Sequence, residues 1–483
     1  MRRMICSAAV VLVLAAPAGQ GQSLVDHPRV RAALELLQAW LDAQRAYEQM
    51  PGLSMAVVHD QQLLWSGGYG YADPERGIPA TGTTIYSICS ISKLFTSIAV
   101  LQLRDQGRLR LDDPLEKHLA WLDIKKTYAA QGPATVGGIL THSSGLPRES
   151  DYPYWNAPDF PFPSPEQIRE KLKEQETLYP ADTYYQYSNL GLTLAGELVA
   201  ELSHQRYTDY VAQHILVPLH LADTQPRMPE EQRGARLARG YSALTREGKR
   251  EPLPFFQANG ITPAAGFSST VEDLGKFASW QFRLLEKGGE EILAANTLRE
   301  MHRIHWIEPD WKTAYGLGFM VWGEGDKTFV GHGGSCPGYR SHLLIQPKDK
   351  IATVFMTNAS GVDAKAYAAV AYAIVAPAIL EALDSTKSPK TTNPLFRKYS
   401  GTYRDFPWGG ETAVLLYEDG LAAVDFPTDD PVGGITRLKH VGGDRFRRVR
   451  KDGALGETVD FEVDAGGSVR RLKWHSVYQE KIR

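Results

Sequence analysis

The chain has 483 residues, 43% hydrophobic and 23% charged, with a formal net charge of −3. That length can bury a large core and suggests two domains. So mild a charge argues against nucleic acid or an anionic membrane as partner.

The first 18 residues read as a secretory leader. Arg2 and Arg3 give a positive start, Ile5 to Ala16 an apolar stretch too short to span a bilayer, and Ala16-Pro17-Ala18 a cleavage site. The protein is therefore expected to be exported, to the periplasm or beyond. Cleavage removes Cys6 and leaves Cys89 and Cys336. Residues 28 to 48 place Ala33, Leu36, Leu37, Trp40 and Leu41 at helical spacing. Leu53 to Val58 and Leu63 to Tyr71 read as a hairpin around His59-Asp60-Gln61-Gln62.

Ser90 and Lys93 follow, in the single Ser-x-x-Lys of the chain. A serine hydroxyl needs a base within hydrogen-bond reach to become a nucleophile. Residues three apart on a helix share a face, and a lysine serves as base once burial makes it uncharged. Leu94 to Leu103 carries no charge, so Ser90 stands at the mouth of a buried helix. In Leu140-Thr141-His142-Ser143-Ser144-Gly145-Leu146-Pro147, His142 is expected to satisfy loop backbone groups. Asp151 to Pro165 holds five prolines and five aromatics. It reads equally as a loop over a cleft and as packed surface.

Tyr187-Ser188-Asn189 introduces a second apolar helix. A phenol can relay a proton if a neighbouring cation lowers its pKa, and an amide can hold a lysine or a substrate carbonyl. Tyr154-Trp155-Asn156 has the same spelling but lies in the Pro-rich loop, so Tyr187 is preferred. His302 and His305 are spaced to share a helix face but lack a third ligand nearby, so they read as surface or groove residues rather than a metal site. Val330-Gly331-His332-Gly333-Gly334-Ser335 suits a strand that a ligand approaches closely. The N–H groups of Ser90 and Ser335 would then hold an oxyanion. That assignment makes Cys89 and Cys336 neighbours, expected as two small buried thiols, with a disulfide as the alternative. Arg340 to Gln346 and Ile351 to Thr357 read as further strands, and Ala364 to Leu383 as a helix packed on the sheet.

Residues 384 to 394 read as a linker. Beyond it, Glu418-Asp419-Gly420, Val441-Gly442-Gly443-Asp444 and Asp464-Ala465-Gly466-Gly467 punctuate short alternating segments. They predict seven or eight strands in a small up-and-down barrel over 395–483. His440-Val441-Gly442-Gly443 is read as a turn.

Ser90-x-x-Lys93, Tyr187-x-Asn189 and His332-x-Gly334, in that order, resemble the class C β-lactamases and their penicillin-recognising relatives. Gly107 to Pro114, Leu140 to Pro147, Ala265 to Thr270 and Tyr315 to Gly318 are similar to further stretches of that group. The resemblance spans roughly residues 30 to 380. It implies a hydrolase domain over 28–383, α+β, with an antiparallel sheet flanked by helices and an all-helical subdomain. The barrel resembles lipocalin-like modules appended to such hydrolases. By resemblance, Ser90 is the acylated nucleophile, Lys93 and Tyr187 share acid/base work, and Asn189, His332, Gly334 and Ser335 bind substrate. Many members carry a lysine where His332 stands; a histidine is charged only below about 6.5, which weakens carboxylate recognition.

The expected activity is hydrolysis of an ester or amide in a small molecule or short peptide, with no metal or organic cofactor. A true β-lactamase or D-amino-acid peptidase is the first alternative. A slowly deacylating acyl- or peptidoglycan-binding protein is the second.

Overall fold

The computed structural model describes residues 23–386 and 393–483. The expected leader, and residues 387–392 of the expected linker, lie outside them. After a 3-10 turn at Leu24–Asp26, helix α1 (Pro28–Tyr47) is the first α-helix of the described chain. The predicted hairpin forms as β1 (Gly52–His59) and β2 (Gln62–Asp73), followed by β3 (Ile78–Pro79) and β4 (Tyr86–Ser87).

The helical region comes next. It comprises α2 (Ser92–Asp105), α3 (Leu115–His118), α4 (Val136–Thr141), α5 (Pro165–Leu172), α6 (Asn189–Ser203), α7 (Tyr207–Val211) and α8 (Thr262–Ala265). Strand β5 (Ser268–Ser269) closes it by pairing with β4. The chain then returns to the sheet through α9 (Val271–Lys287), α10 (Ala295–Met301), β6 (Trp306–Ile307), β7 (Ala314–Tyr315) and β8 (Met320–Glu324). It continues with β9 (Lys327–Cys336), β10 (Tyr339–Gln346), β11 (Ile351–Thr357) and α11 (Ala364–Leu383).

Nine strands form one antiparallel sheet in the order β3-β2-β1-β11-β10-β9-β8-β7-β6. Its central strands are apolar on both faces because both are covered. Ala56, Val58, Leu343, Ile345, Val354 and Met356 share a core with α2, α6 and α9. Their sequence neighbours Met55, Val57, Leu344 and Phe355 share another with α1 and α11. This strict alternation is the period-two geometry of a strand. By length and composition α11 would suffice to cross a membrane. Here it packs on the sheet, and Thr353 Oγ1 donates to Ala368 O at 2.8 Å.

The expected shared face of His302 and His305 does not exist. Helix α10 ends at Met301. There His302 turns inward to Gln281 Oε1 (3.0 Å) and the Phe319 ring, while His305 Nε2 meets Glu300 O.

The C-terminal strands are β12 (Gly401–Arg404), β13 (Glu411–Tyr417), β14 (Gly420–Phe426), β15 (Thr436–Gly442), β16 (Arg445–Val449), β17 (Leu455–Val463), β18 (Val469–Trp474) and β19 (Val477–Lys481). Each pairs with the next, and β19 returns to β12, closing an eight-stranded barrel. Its interior is filled by Phe396, Tyr399, Tyr403, Phe446, Phe461 and smaller apolar side chains. Ala413, Val424 and Phe426 instead join the core of α1 and α11, where Trp40 Nε1 donates to Thr428 O at 2.8 Å. The barrel therefore caps those two helices. His440 lies in β15, bonded to Gly443 O across the predicted turn.

Candidate active site

Ser90 lies in a single 3-10 turn, Cys89–Ile91, that leads into α2. Cys89 adopts φ +50°, a left-handed conformation uncommon for residues other than glycine. Three contacts hold it. Ser92 Oγ donates to Cys89 O at 2.5 Å and accepts from Phe267 N–H at 3.0 Å. Cys89 is also disulfide-bonded to Cys336, the last residue of β9. The expected pair of free thiols is thus corrected to a bridge: both Cys89 and Cys336 sit where the Ser90 turn crosses β9, with Cα atoms 5.8 Å apart, within disulfide range.

Lys93 is fully buried in the first turn of α2. Its Nζ lies 3.1 Å from Ser90 Oγ, 2.8 Å from Asn189 Oδ1 and 2.8 Å from Ala264 O. Burial pushes the amine well below the usual lysine range; Glu149 opposes this and Arg148 adds to it. An uncharged amine has two N–H bonds and one lone pair. Ala264 O can only accept. Asn189 Oδ1 can only accept too, because Asn189 Nδ2 donates to Glu149 Oε1 at 2.7 Å and so fixes the amide's orientation. Both N–H bonds are therefore committed, and the lone pair faces the serine hydroxyl.

Asn189 begins α6, whose N-cap Ser188 accepts from Gly191 N–H at 2.8 Å. Tyr187, just before the cap, stacks against His142 (ring centroids 4.3 Å apart) and under Lys93 Nζ (4.8 Å). Burial raises the Tyr187 phenol above its usual range, with a hydrogen bond to Ser90 only partly offsetting it. The cation-lowered phenol expected from sequence is thus replaced by a firmly protonated one. His142 does satisfy the loop, accepting from Ser188 N–H at 3.1 Å through Nδ1.

His332 is buried and pushed down to about 3, by desolvation first and by Lys93 second. It is uncharged near neutrality, further from an anion anchor than its ordinary pKa suggested. Its Nδ1 meets Gly333 O at 2.6 Å, an acceptor, so Nδ1 carries the proton. Nε2 is a buried acceptor with no hydrogen-bond partner among the described residues.

Strand β8 pairs with β9 only as far as Gly331, whereas β10 pairs with it through Cys336. One edge of His332–Cys336 is therefore open. Pro337 and Gly338 (φ +83°) turn the β9–β10 hairpin. Pairs alternate between bonded and non-bonded along an antiparallel ladder. With Cys336 and Tyr339 closing this two-residue turn, Ser335 directs its N–H away from β10, to the open edge.

These groups line a cleft of about 700 Å³ that includes Ser90, Tyr187, Asn189, His332, Gly334 and Ser335. All the predicted site residues but Lys93 line it, and Lys93 lies directly behind Ser90. No barrel residue contributes. The Pro-rich loop divides its roles: Trp155 reaches the cleft, while Tyr154, Phe160 and Phe162 are buried. Glu149 was not foreseen. It accepts from both Asn189 and the Tyr154 hydroxyl, and a lone acidic residue in a loop carries no signal in sequence. Among the described residues, no three His, Cys, Asp or Glu converge as a metal site.

The family described as "Beta-lactamase" matches residues 37–376, and a "Domain of unknown function (DUF3471)" matches 385–483. "Beta-lactamase-like protein 2" of Dictyostelium discoideum is 28% identical over 399 residues, 78% of this chain and 71% of that protein. "Protein flp" of Staphylococcus aureus (strain N315) is 27% identical over 319 residues, 66% of this chain and 61% of its own length. The chain thus spans less than two thirds of that second relative. The D-amino acid amidase from Ochrobactrum anthropi SV3 superposes with a TM-score of 0.59 at 25% identity, over 74% of this chain and 99% of its own. The octameric penicillin-binding protein homologue from Pyrococcus abyssi shares the fold over 93% of this chain and 100% of its own, with a TM-score of 0.63 at 24% identity.

Proposed function

The chain belongs to the β-lactamase family, and we propose that within it this protein is an exported serine hydrolase that cleaves an ester or amide through an acyl-Ser90 intermediate. The observation that carries the reading is the Lys93 amine, desolvated and bonded so that only its lone pair is left for Ser90 Oγ.

Lys93 takes the Ser90 proton as Oγ attacks the carbonyl carbon. The N–H groups of Ser90 and Ser335 receive the oxyanion. Tyr187, held protonated by burial, donates to the departing nitrogen or oxygen and recovers its proton from the Lys93 ammonium. Water then attacks the acyl carbonyl with Lys93 again as base, releasing the acid and free Ser90. Asn189 orients Lys93, and His332 offers Nε2 to a donor on the substrate. The barrel, read as a lipocalin-like appendage, supports α1 and α11 at a distance from the cleft.

Replacing Ser90 with Ala is expected to abolish both turnover of a p-nitrophenyl ester and labelling by a fluorophosphonate; undiminished rates in that variant would refute the proposal. Two narrower readings stay within it. The likeness to a D-amino acid amidase favours amides of D-amino acids, tested by release of ammonia from D-aminoacyl amides. An uncharged His332 disfavours penicillins, tested with nitrocefin. A burst of one equivalent without further turnover would mark a slowly deacylating binding protein instead.

A further inference from the structure

We infer that Arg340 forms a subsite for a carboxylate carried on the acyl portion of the substrate, at the end of the cleft away from the leaving group. The inference rests on the Ser90 reading above and names the substrate class it implies.

The direction follows from the acid. Tyr187 protonates the leaving group, and its ring faces His332 at 6.4 Å. The leaving group therefore lies on the His332 side of Ser335. The acyl portion runs the other way along the open edge of β9, toward Cys336 and the Pro337-Gly338 turn. Arg340 stands there, paired in register with Ser335 and lining the cleft.

Arg340 is half-buried, and its hydrogen bonds are few. Nη1 donates to Cys336 O (3.1 Å) and Tyr339 O (2.8 Å). Among the described residues, Nε and Nη2 have no hydrogen-bond partner, and no carboxylate forms an ion pair with the guanidinium. Arg250, similarly buried, shows what a purely structural arginine looks like in this fold. Its Nε, Nη1 and Nη2 all donate to backbone carbonyls, those of Glu48, Gln49, Ser242 and Ser360. A desolvated cation without a counter-ion is costly, and an arginine with Nε and Nη2 free fits a carboxylate through two parallel bonds. Lys365 on the same rim adds a second positive charge. Asp363, the acid beside it, already caps α11 through Ala366 N–H. The geometry fits half-esters or half-amides of dicarboxylic acids, and acidic aminoacyl groups.

The test compares p-nitrophenyl hydrogen adipate with p-nitrophenyl hexanoate, using the full chain and its R340Q and R340K variants. In the wild type, the ratio of kcat/KM values should favour the adipate about tenfold or more. R340Q should lower that ratio about tenfold to a hundredfold, the loss expected for one charged bidentate contact, and R340K should retain part of it. A wild-type ratio of one or below, or an unchanged ratio in R340Q, overturns the subsite. Should R340Q fail to fold, free adipate decides: it should inhibit hexanoate hydrolysis competitively and less so at high salt, and no inhibition overturns the proposal. The S90A variant separates the two claims. Turnover that survives it sinks the hydrolase reading, whereas Ser90-dependent turnover without carboxylate preference sinks only Arg340.

Discussion

Replacing Gly334 with Ala should disable the enzyme without touching any titratable group. Gly334 needs no unusual backbone angle; it needs room. A Cβ built there would lie 2.1 Å from Ser341 Oγ and 2.2 Å from Ile88 O. The serine hydroxyl can rotate aside. The Ile88 carbonyl cannot, because it accepts from Ile91 N–H in the Ser90 turn. Strand β9 would have to recede by about 1 Å to reach an ordinary carbon–oxygen contact. The Cys89–Cys336 bridge resists that motion on one side, so the strain falls on Ser335, whose N–H leaves the oxyanion position. A displacement of about 1 Å in a catalytic group costs on the order of 10²-fold in rate, roughly 2.7 kcal/mol. Overpacking should cost a further 1–3 kcal/mol or so of stability. The assay is kcat on a p-nitrophenyl ester, normalised to sites titrated with a fluorophosphonate, alongside thermal unfolding. The double variant G334A/S341A should recover little, since only one of the two collisions is relieved. A kcat within about twofold of wild type for G334A would refute the proposed closeness of β9 to the nucleophile turn, and with it the role of Ser335.

Tyr187→Phe should lower kcat about 10²- to 10⁴-fold on anilides, whose nitrogen must be protonated to leave, and less on p-nitrophenyl esters, with little change in KM; an equal fall on both, or a change confined to KM, would contradict the assignment. The acid limb of kcat/KM should reflect the depressed Lys93: activity is present where the amine is neutral and is lost as pH falls through its folded pKa. Glu149→Gln removes the charge that raises Lys93, so that limb should shift to lower pH; a shift upward contradicts the assignment. Lys93 also links stability to pH. Between its folded pKa and about 10.5 the unfolded state binds one more proton, so wild type should lose up to about 1.4 kcal/mol per pH unit on acidification relative to Lys93→Met. Parallel unfolding curves for the two proteins across that range would contradict a neutral buried amine. Denatured, unreduced protein should show no free thiol from Cys89 or Cys336, and Cys336→Ser should cost roughly 2–5 kcal/mol; two titratable thiols would remove the bridge.

Much of this molecule is written locally. The helix of residues 28–48, the hairpin after it, strands β9 to β11 and the turn-punctuated barrel are visible because alternation of apolar residues sets each element and each face. Ser90, Lys93, Tyr187 and Asn189 stand out in sequence because they cluster at the starts of two apolar helices, and folding brings them into contact. The same local reasoning misjudged Cys89, Cys336 and the phenol of Tyr187, read the weak charge of His332 in the right direction but not its extent, and did not single out Glu149 or Arg340. Charge state and bonding depend on what surrounds a group, and these surroundings come from segments far apart in sequence. The phenol stays protonated and His332 stays neutral because the helical region and the sheet close over them together. Glu149 meets Asn189 only through folding, and Arg340 stands out because, among the described residues, no carboxylate pairs with its guanidinium. Sequence determined which elements form and which residue types are present. The tertiary structure decided the protonation states and partners of those residues, because desolvation and hydrogen bonding act through space rather than along the chain.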